Sequence, residues 1–197
     1  MKKFNNVIVK RPCKAVCNGI TSSPELGQPI YEKALQQHDA YIEALKKCGV
    51  EVTILEPDER YPDSCFVEDP ALITKSCAII TNPGAESRNG EKDEIIGAIR
   101  KFFPEEKIEY IKSPGTLEGG DVMMVDDTFY VGLSARTNEE GIRQLREILS
   151  KYGLKCVQYH LKRFFILRRV STTLNITICS FLANSSKNLN SQNIIRS

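Results

Sequence analysis

The chain predicts an α/β protein built from repeating modules that stack or close into a ring. Strand-like and helix-like patterns alternate three times along 197 residues, and comparable features recur near every 50. A module of that size cannot cover its own apolar face and needs a neighbour. The composition, 41% hydrophobic and 26% charged with 12 Gly and 9 Pro, is that of a globular chain; it excludes a collagenous chain, a coiled coil and wholesale disorder.

In the first module, residues 6–11 form an apolar strand stopped by Pro12, and a loop with Asn18-Gly19, Ser23-Pro24 and Pro29 follows. Ala34, Leu35, Ala40, Tyr41, Ala44 and Leu45 recur at helical spacing from Ile30, and Gly49 stands at the C′ position. Glu51–Leu55 is then a strand. In the second module Ser64–Thr74 and Ser76–Thr81 read as a hairpin, Glu91–Phe103 as a helix and Lys107–Ile111 as a strand. In the third, Leu117–Val125 pairs with Thr128–Leu133 across Asp126-Asp127; a helix over Glu139–Lys151 and a strand through Val157 follow.

All Gly, Pro, Asp and Glu lie before Tyr159. The first 158 residues carry 21 Lys and Arg against 25 Asp and Glu, whereas the last 39 are basic and have no turn residues. The overall charge of +2 does not suggest nucleic acid as a partner. No run approaches 18 apolar residues, so no membrane span is expected. The basic start has no apolar stretch behind it, so no secretory signal is expected either. Seven dispersed cysteines, an odd number without zinc spacing, predict reduced thiols in a cytoplasmic protein.

Two acidic segments stand out. Asp63, Glu68 and Asp69 fall in a run that otherwise reads as a strand, where Asp is disfavoured. Two unit charges roughly 4 Å apart repel by about 4 kcal/mol at an effective dielectric of about 20, a cost that a cationic ligand relieves. Glu118-Gly119-Gly120-Asp121 adds acids beside paired glycines, which let backbone approach a ligand or a neighbouring strand. Arg88 and Arg136 follow the two segments by 18–20 residues and could grip a carboxylate bidentately. The implied ligand has a cationic head and a carboxylate tail, as a guanidino amino acid does. The same acids could instead cap turns and sit on solvated strand ends. A divalent metal is a third reading, but no calcium-loop spacing is present and two arginines oppose a cation.

At these residues the chain resembles the dimethylarginine dimethylaminohydrolase family, within the superfamily of arginine deiminases and amidinotransferases. The motifs are Pro57-Asp-Glu-Arg-Tyr-Pro-Asp-Ser-Cys-Phe-Val-Glu-Asp69, Ile79-Ile-Thr-Asn-Pro-Gly-Ala-Glu-Ser-Arg88, Gly115-Thr-Leu-Glu-Gly-Gly-Asp121 and Leu133-Ser-Ala-Arg-Thr-Asn138. The resemblance covers about Val7 to Val157. It implies a five-module α/β propeller, of which residues 1–157 would supply about three modules. Asp63, Glu68 and Asp69 would hold the substrate head, and Arg88 and Arg136 its amino-acid end. Glu118 would orient the catalytic histidine, and Ile20 would lie in a lid loop. The implied chemistry is attack of a cysteine thiolate on the guanidinium carbon, protonation of the departing amine by histidine, and release of citrulline by water. No cofactor and no metal are needed. Arginine deimination or amidino transfer is the neighbouring alternative, and a non-catalytic binder of arginine-like cations is another.

Residues 158–197 depart from the family. His160-Leu161-Lys162 imitates part of the family's Leu-His-Leu-Lys-Thr-Gly run, but Arg163-Phe164 replaces Thr-Gly, so His160 is expected to be a decoy. Read one base out of register, with permitted codons, Phe164–Ser185 becomes V-L-H-L-K-T-G-V-N-Y-L-E-H-N-N-L-L-V-S-G-E-F, a family-like fourth module. A one-base frameshift near Val157–Tyr159 is therefore expected, leaving the chain without the family histidine and nucleophile and inactive. Open module edges would then favour homodimers or aggregation. Cys65 is expected to be inert, Cys156 and Cys179 have no acid–base partner, and His38 is expected on a solvated helix face.

Overall fold

The computed structural model describes residues 5–21 and 23–159. His160, Cys179 and the basic tail lie outside the described residues.

Three units follow one another. The first comprises β1 (Asn6–Lys10), α1 (Tyr31–Lys47) and β2 (Glu51–Leu55), with β1 and β2 parallel. The second comprises β3 (Ala71–Ile73), β4 (Ala78–Ile80), α2 (Glu91–Ile99) and β5 (Ile108–Tyr110). The third repeats that plan with β6 (Val122–Val125), β7 (Thr128–Gly132), α3 (Glu139–Lys151) and β8 (Lys155–Tyr159). In both three-stranded sheets the first strand pairs antiparallel with the second, and the second pairs parallel with the third after the helix. The ββαβ module predicted from the sequence is therefore present twice. Its first copy has two strands among the described residues.

Local chemistry explains the best-placed elements. Asn138 caps α3 by accepting the Gly141 N–H at 2.8 Å, and Gly153, at φ 70°, follows the helix where a left-handed residue ends it. Ile142, Leu145, Ile148 and Leu149 of α3 recur at helical spacing and are all buried, each side chain adding about 1.5–3 kcal/mol of apolar transfer. They pack with Ile111, Leu117, Phe129, Val131 and Ile79. Ala78 and Ile80 face the other way, onto Ile95 and Ile99 of α2. Strand β4 is thus buried on both faces, which is why it reads as a continuous apolar run instead of an alternating one.

Several expectations need correction. Residues 64–69 are not a strand: successive backbone bonds Ser64 N–H to Tyr61, Phe66 N–H to Asp63 and Asp69 N–H to Phe66 curl the chain into consecutive turns. Residues Gly119–Asp121 form a short 3-10 turn before β6. Helix α2 ends at Ile99, with Arg100–Phe103 winding off it in turns. His38 is half-buried, not solvated: its Nδ1 is shielded without a hydrogen-bond partner, and burial, with Arg11 nearby, lowers its pKa. Among the described residues no helix is long and apolar enough to cross a membrane.

Candidate active site

The curled loop of residues 57–70 turns Asp63 and Asp69 inward. Asp63 is buried, and its Oδ2 accepts the Ile20 N–H at 3.0 Å. A Cβ at Gly19 would stand 2.6 Å from Asp63 Oδ1, so the 18–20 segment needs glycine to lie this close. The start of that segment is held by Glu59, which accepts the N–H groups of Lys14 at 3.0 Å and Ala15 at 2.9 Å. The Ile20 side chain remains 57% exposed.

Asp69 joins the second unit to the third. Its Oδ1 accepts the Gly120 N–H at 2.8 Å, and its carbonyl accepts the Gly119 N–H at 2.9 Å and the Thr81 hydroxyl at 2.7 Å. A side chain at Gly119 would run into the Glu68 carbonyl. The paired glycines therefore serve the approach of a neighbouring segment, one of the two uses the sequence left open. Glu68 itself is exposed on the turn.

Arg88 is buried. Its Nε and Nη2 donate to the two carboxylate oxygens of Glu91 at 2.9 and 2.7 Å, Nη2 also donates to the Asp63 carbonyl at 3.1 Å, and Nη1 pairs with Asp69. The side chain of Arg136 is 42% exposed, whereas Arg88 is buried and pairs with Glu91 and Asp69.

Glu118 is 1% exposed, and Arg136 Nη1 stands 2.9 Å from its Oε2. Neither carboxylate oxygen has a well-directed hydrogen bond among the described residues. Burial raises the Glu118 pKa, with Arg136 opposing and Asp69 adding to the rise. The Leu133–Asn138 loop that carries Arg136 is organised by Asp121, whose Oδ2 accepts from Ser134 and Thr137 hydroxyls at 2.6 Å each. Thr137 Oγ1 in turn accepts the Glu118 N–H at 3.1 Å, and Ser134 Oγ accepts the N–H of Arg136 at 2.9 Å. Gly84 allows the loop to sit down, since a Cβ there would be 2.5 Å from the Arg136 carbonyl.

Asp63, Asp69, Arg88, Glu118 and Arg136 are thus linked across four segments. Sequence reasoning missed Glu91, Asp121, Ser134 and Thr137 as parts of this network. The signal for Glu91 was its i,i+3 spacing from Arg88 at a helix start. Among the described residues no group of three or more His, Cys, Asp or Glu side chains is set to hold a metal ion.

Residues 14–169 match the family model of eukaryotic N,N dimethylarginine dimethylhydrolase. The chain belongs to the dimethylarginine dimethylaminohydrolase family. It is 56% identical over 151 residues to the N(G),N(G)-dimethylarginine dimethylaminohydrolase of Pseudomonas aeruginosa, a match covering 77% of this chain and 59% of that one. The protein of the same description from Streptomyces coelicolor is 36% identical over 167 residues, covering 85% and 64%. A solved structure of the Pseudomonas aeruginosa dimethylarginine dimethylaminohydrolase, a mutant complexed with citrulline, superposes with a TM-score of 0.79 at 54% identity, covering 81% of this chain and 62% of that one. The chain therefore spans about three fifths of the length of these relatives, and its mixed α/β fold is that of dimethylarginine dimethylaminohydrolase.

Of its described cysteines, Cys65 is pushed up to about 12 by burial and by Asp63 and Glu68, and burial also raises Cys13, Cys77 and Cys156. A thiol so disfavoured as thiolate is a poor nucleophile.

Proposed function

We propose that this site binds the guanidinium of an Nω-methylated arginine, and that the reaction it serves is hydrolysis to citrulline and methylamine or dimethylamine. The observation that carries the reading is Glu118: a carboxylate 1% exposed with two unfilled acceptor oxygens, facing an arginine. A guanidinium already stands there, since Arg136 occupies it at 2.9 Å. A ligand guanidinium takes that position with two parallel N–H donors, and Arg136, with its side chain 42% exposed, then moves to the ligand carboxylate on the side of Arg88. Asp69 and Asp63 supply further negative charge, Glu68 lines the rim, and Ile20 covers the ligand as part of the lid.

In the covalent step a cysteine thiolate adds to the guanidinium carbon, the C–N bond to the methylated nitrogen breaks, and a histidine protonates the departing amine. Water then attacks the thiouronium carbon, releasing citrulline and the thiol. Cys65, buried beside two carboxylates, is a poor nucleophile for this step, and the 197-residue chain is proposed to bind without turnover, in a cytoplasmic setting that keeps its thiols reduced. The module plan is proposed to be an open portion of an α/β propeller, with copies associating through the open edges of its first and third modules, and residues 158–197 to arise from a one-base frameshift. Resequencing the gene across the Val157 codon tests the last point; an intact frame overturns it.

Calorimetric titration of the chain with Nω,Nω-dimethylarginine, with citrulline measured in parallel, tests the rest. Saturable binding that E118Q abolishes is expected, without citrulline release. Failure to bind overturns the site, and citrulline formation overturns the absence of turnover.

A further inference from the structure

The structure assigns to Glu91 a role in charge selectivity: by neutralising Arg88, it leaves the buried Asp69–Arg88–Glu91 triad with a net negative charge that favours a cationic over a neutral ligand head. The inference rests on the guanidinium-binding reading above.

Glu91 is the first residue of α2 and is 3% exposed. Both its oxygens are taken by Arg88, through Nε at 2.9 Å and Nη2 at 2.7 Å, the side-on fork that binds a carboxylate most completely. Only Nη1 of Arg88 is turned toward Asp69. The triad holds two carboxylates on one guanidinium, all three side chains buried. Were Glu91 neutral, Arg88 would cancel Asp69, and Glu118 would lie beside a neutral pair. With Glu91 ionised, one negative charge of the triad remains next to Glu118, in a setting where solvent screens weakly. Helix α2 presents Glu91 because Gly90 precedes it: a side chain at Gly90 would collide with the Tyr61 hydroxyl, so the helix starts tight against the 57–70 loop. Glu91 is a positioning and selectivity residue; it acts on the ligand head through Arg88 and Asp69.

L-Arginine and L-citrulline share a tail and differ at the head by a charged amidine nitrogen against a neutral oxygen. Their affinity ratio therefore isolates head charge from general damage to the site. It is measured by calorimetry on the full 197-residue chain and on E91Q, R88Q and the double variant R88Q/E91Q, each checked for folding by circular dichroism. The arginine preference is expected to fall about tenfold in E91Q, to rise in R88Q, and to return to within about twofold of the unaltered chain in the double variant, whose triad has the original net charge. If E91Q does not fold, the order of the remaining three chains gives the same comparison. A ratio that stays constant while both affinities change would mean a purely structural role and overturns the inference. Absence of binding of both arginine and Nω,Nω-dimethylarginine by the unaltered chain overturns the guanidinium reading together with it; where only the methylated ligand binds, its ratio to citrulline across the four chains makes the same comparison.

Discussion

Glu118 shows a conflict between folding and binding in a single side chain. An ionised carboxylate without well-directed hydrogen bonds inside a protein costs about 1–3 kcal/mol. Burial raises its pKa above the ordinary value of 4.5. The folded chain then binds this proton more tightly than the unfolded chain does. The group's contribution to stability is greatest below pH about 4.5 and is lost as pH rises through the raised folded value. E118Q removes that loss, so at pH about 7 it should unfold at a free energy about 1–3 kcal/mol higher while losing guanidinium affinity. Urea denaturation at pH about 4 and about 7 checks this, with the gap between the two chains opening toward the higher pH. Cys65 gives a second test. With its thiol pushed up to about 12, it should resist iodoacetamide at pH about 7.5 while exposed Cys48 is alkylated, as read by peptide mass spectrometry. Asp63, Asp69, Glu118 and Arg136 were legible as chemistry because acids in a strand-like run and arginines at matched intervals are unusual. Glu91 was not, because a glutamate at a helix start is ordinary until its partner is known to be buried.

Between segments, the decisive device is Gly119-Gly120. The acidic turn of the second unit and the start of the third touch backbone to backbone at Glu68 and Asp69, which leaves no room for a side chain at Gly119. G119A should lower the unfolding free energy by about 3 kcal/mol or more, because the clash is with backbone and cannot be relieved by a side-chain rotation. It should also lose arginine binding, since Asp69 and Glu118 are set by the same contact; urea denaturation and calorimetry measure the two effects. The helix period was readable where one face is buried, as in α3. The 64–69 run misled because Phe66 and Val67 look like strand residues, while Pro62 and Pro70 bracket a stretch whose backbone bonds are satisfied in turns.

The three units bury their apolar faces against one another, with β4 sandwiched between two clusters. Units two and three each flank the middle strand on both sides, whereas β1 has only β2 among the described residues. An unpaired strand edge templates association. The weight-average mass in sedimentation should therefore rise between about 5 and about 100 μM, and thermal melting should broaden. A sharp, concentration-independent transition of a monomer would contradict the open-edge proposal.

Periodicity, punctuating glycines and the order of four motifs were enough to establish the repeat and the family and to single out the unusual acids and arginines, because these depend on neighbours a few residues apart. The commitment of Arg88 to Glu91 and Asp69, the burial of Glu118 and the bridge from Asp69 to Gly120 emerged only in three dimensions. Each depends on how far apart and how shielded two charges are once segments 20 to 50 residues distant close on one another, and spacing along a chain carries no record of either.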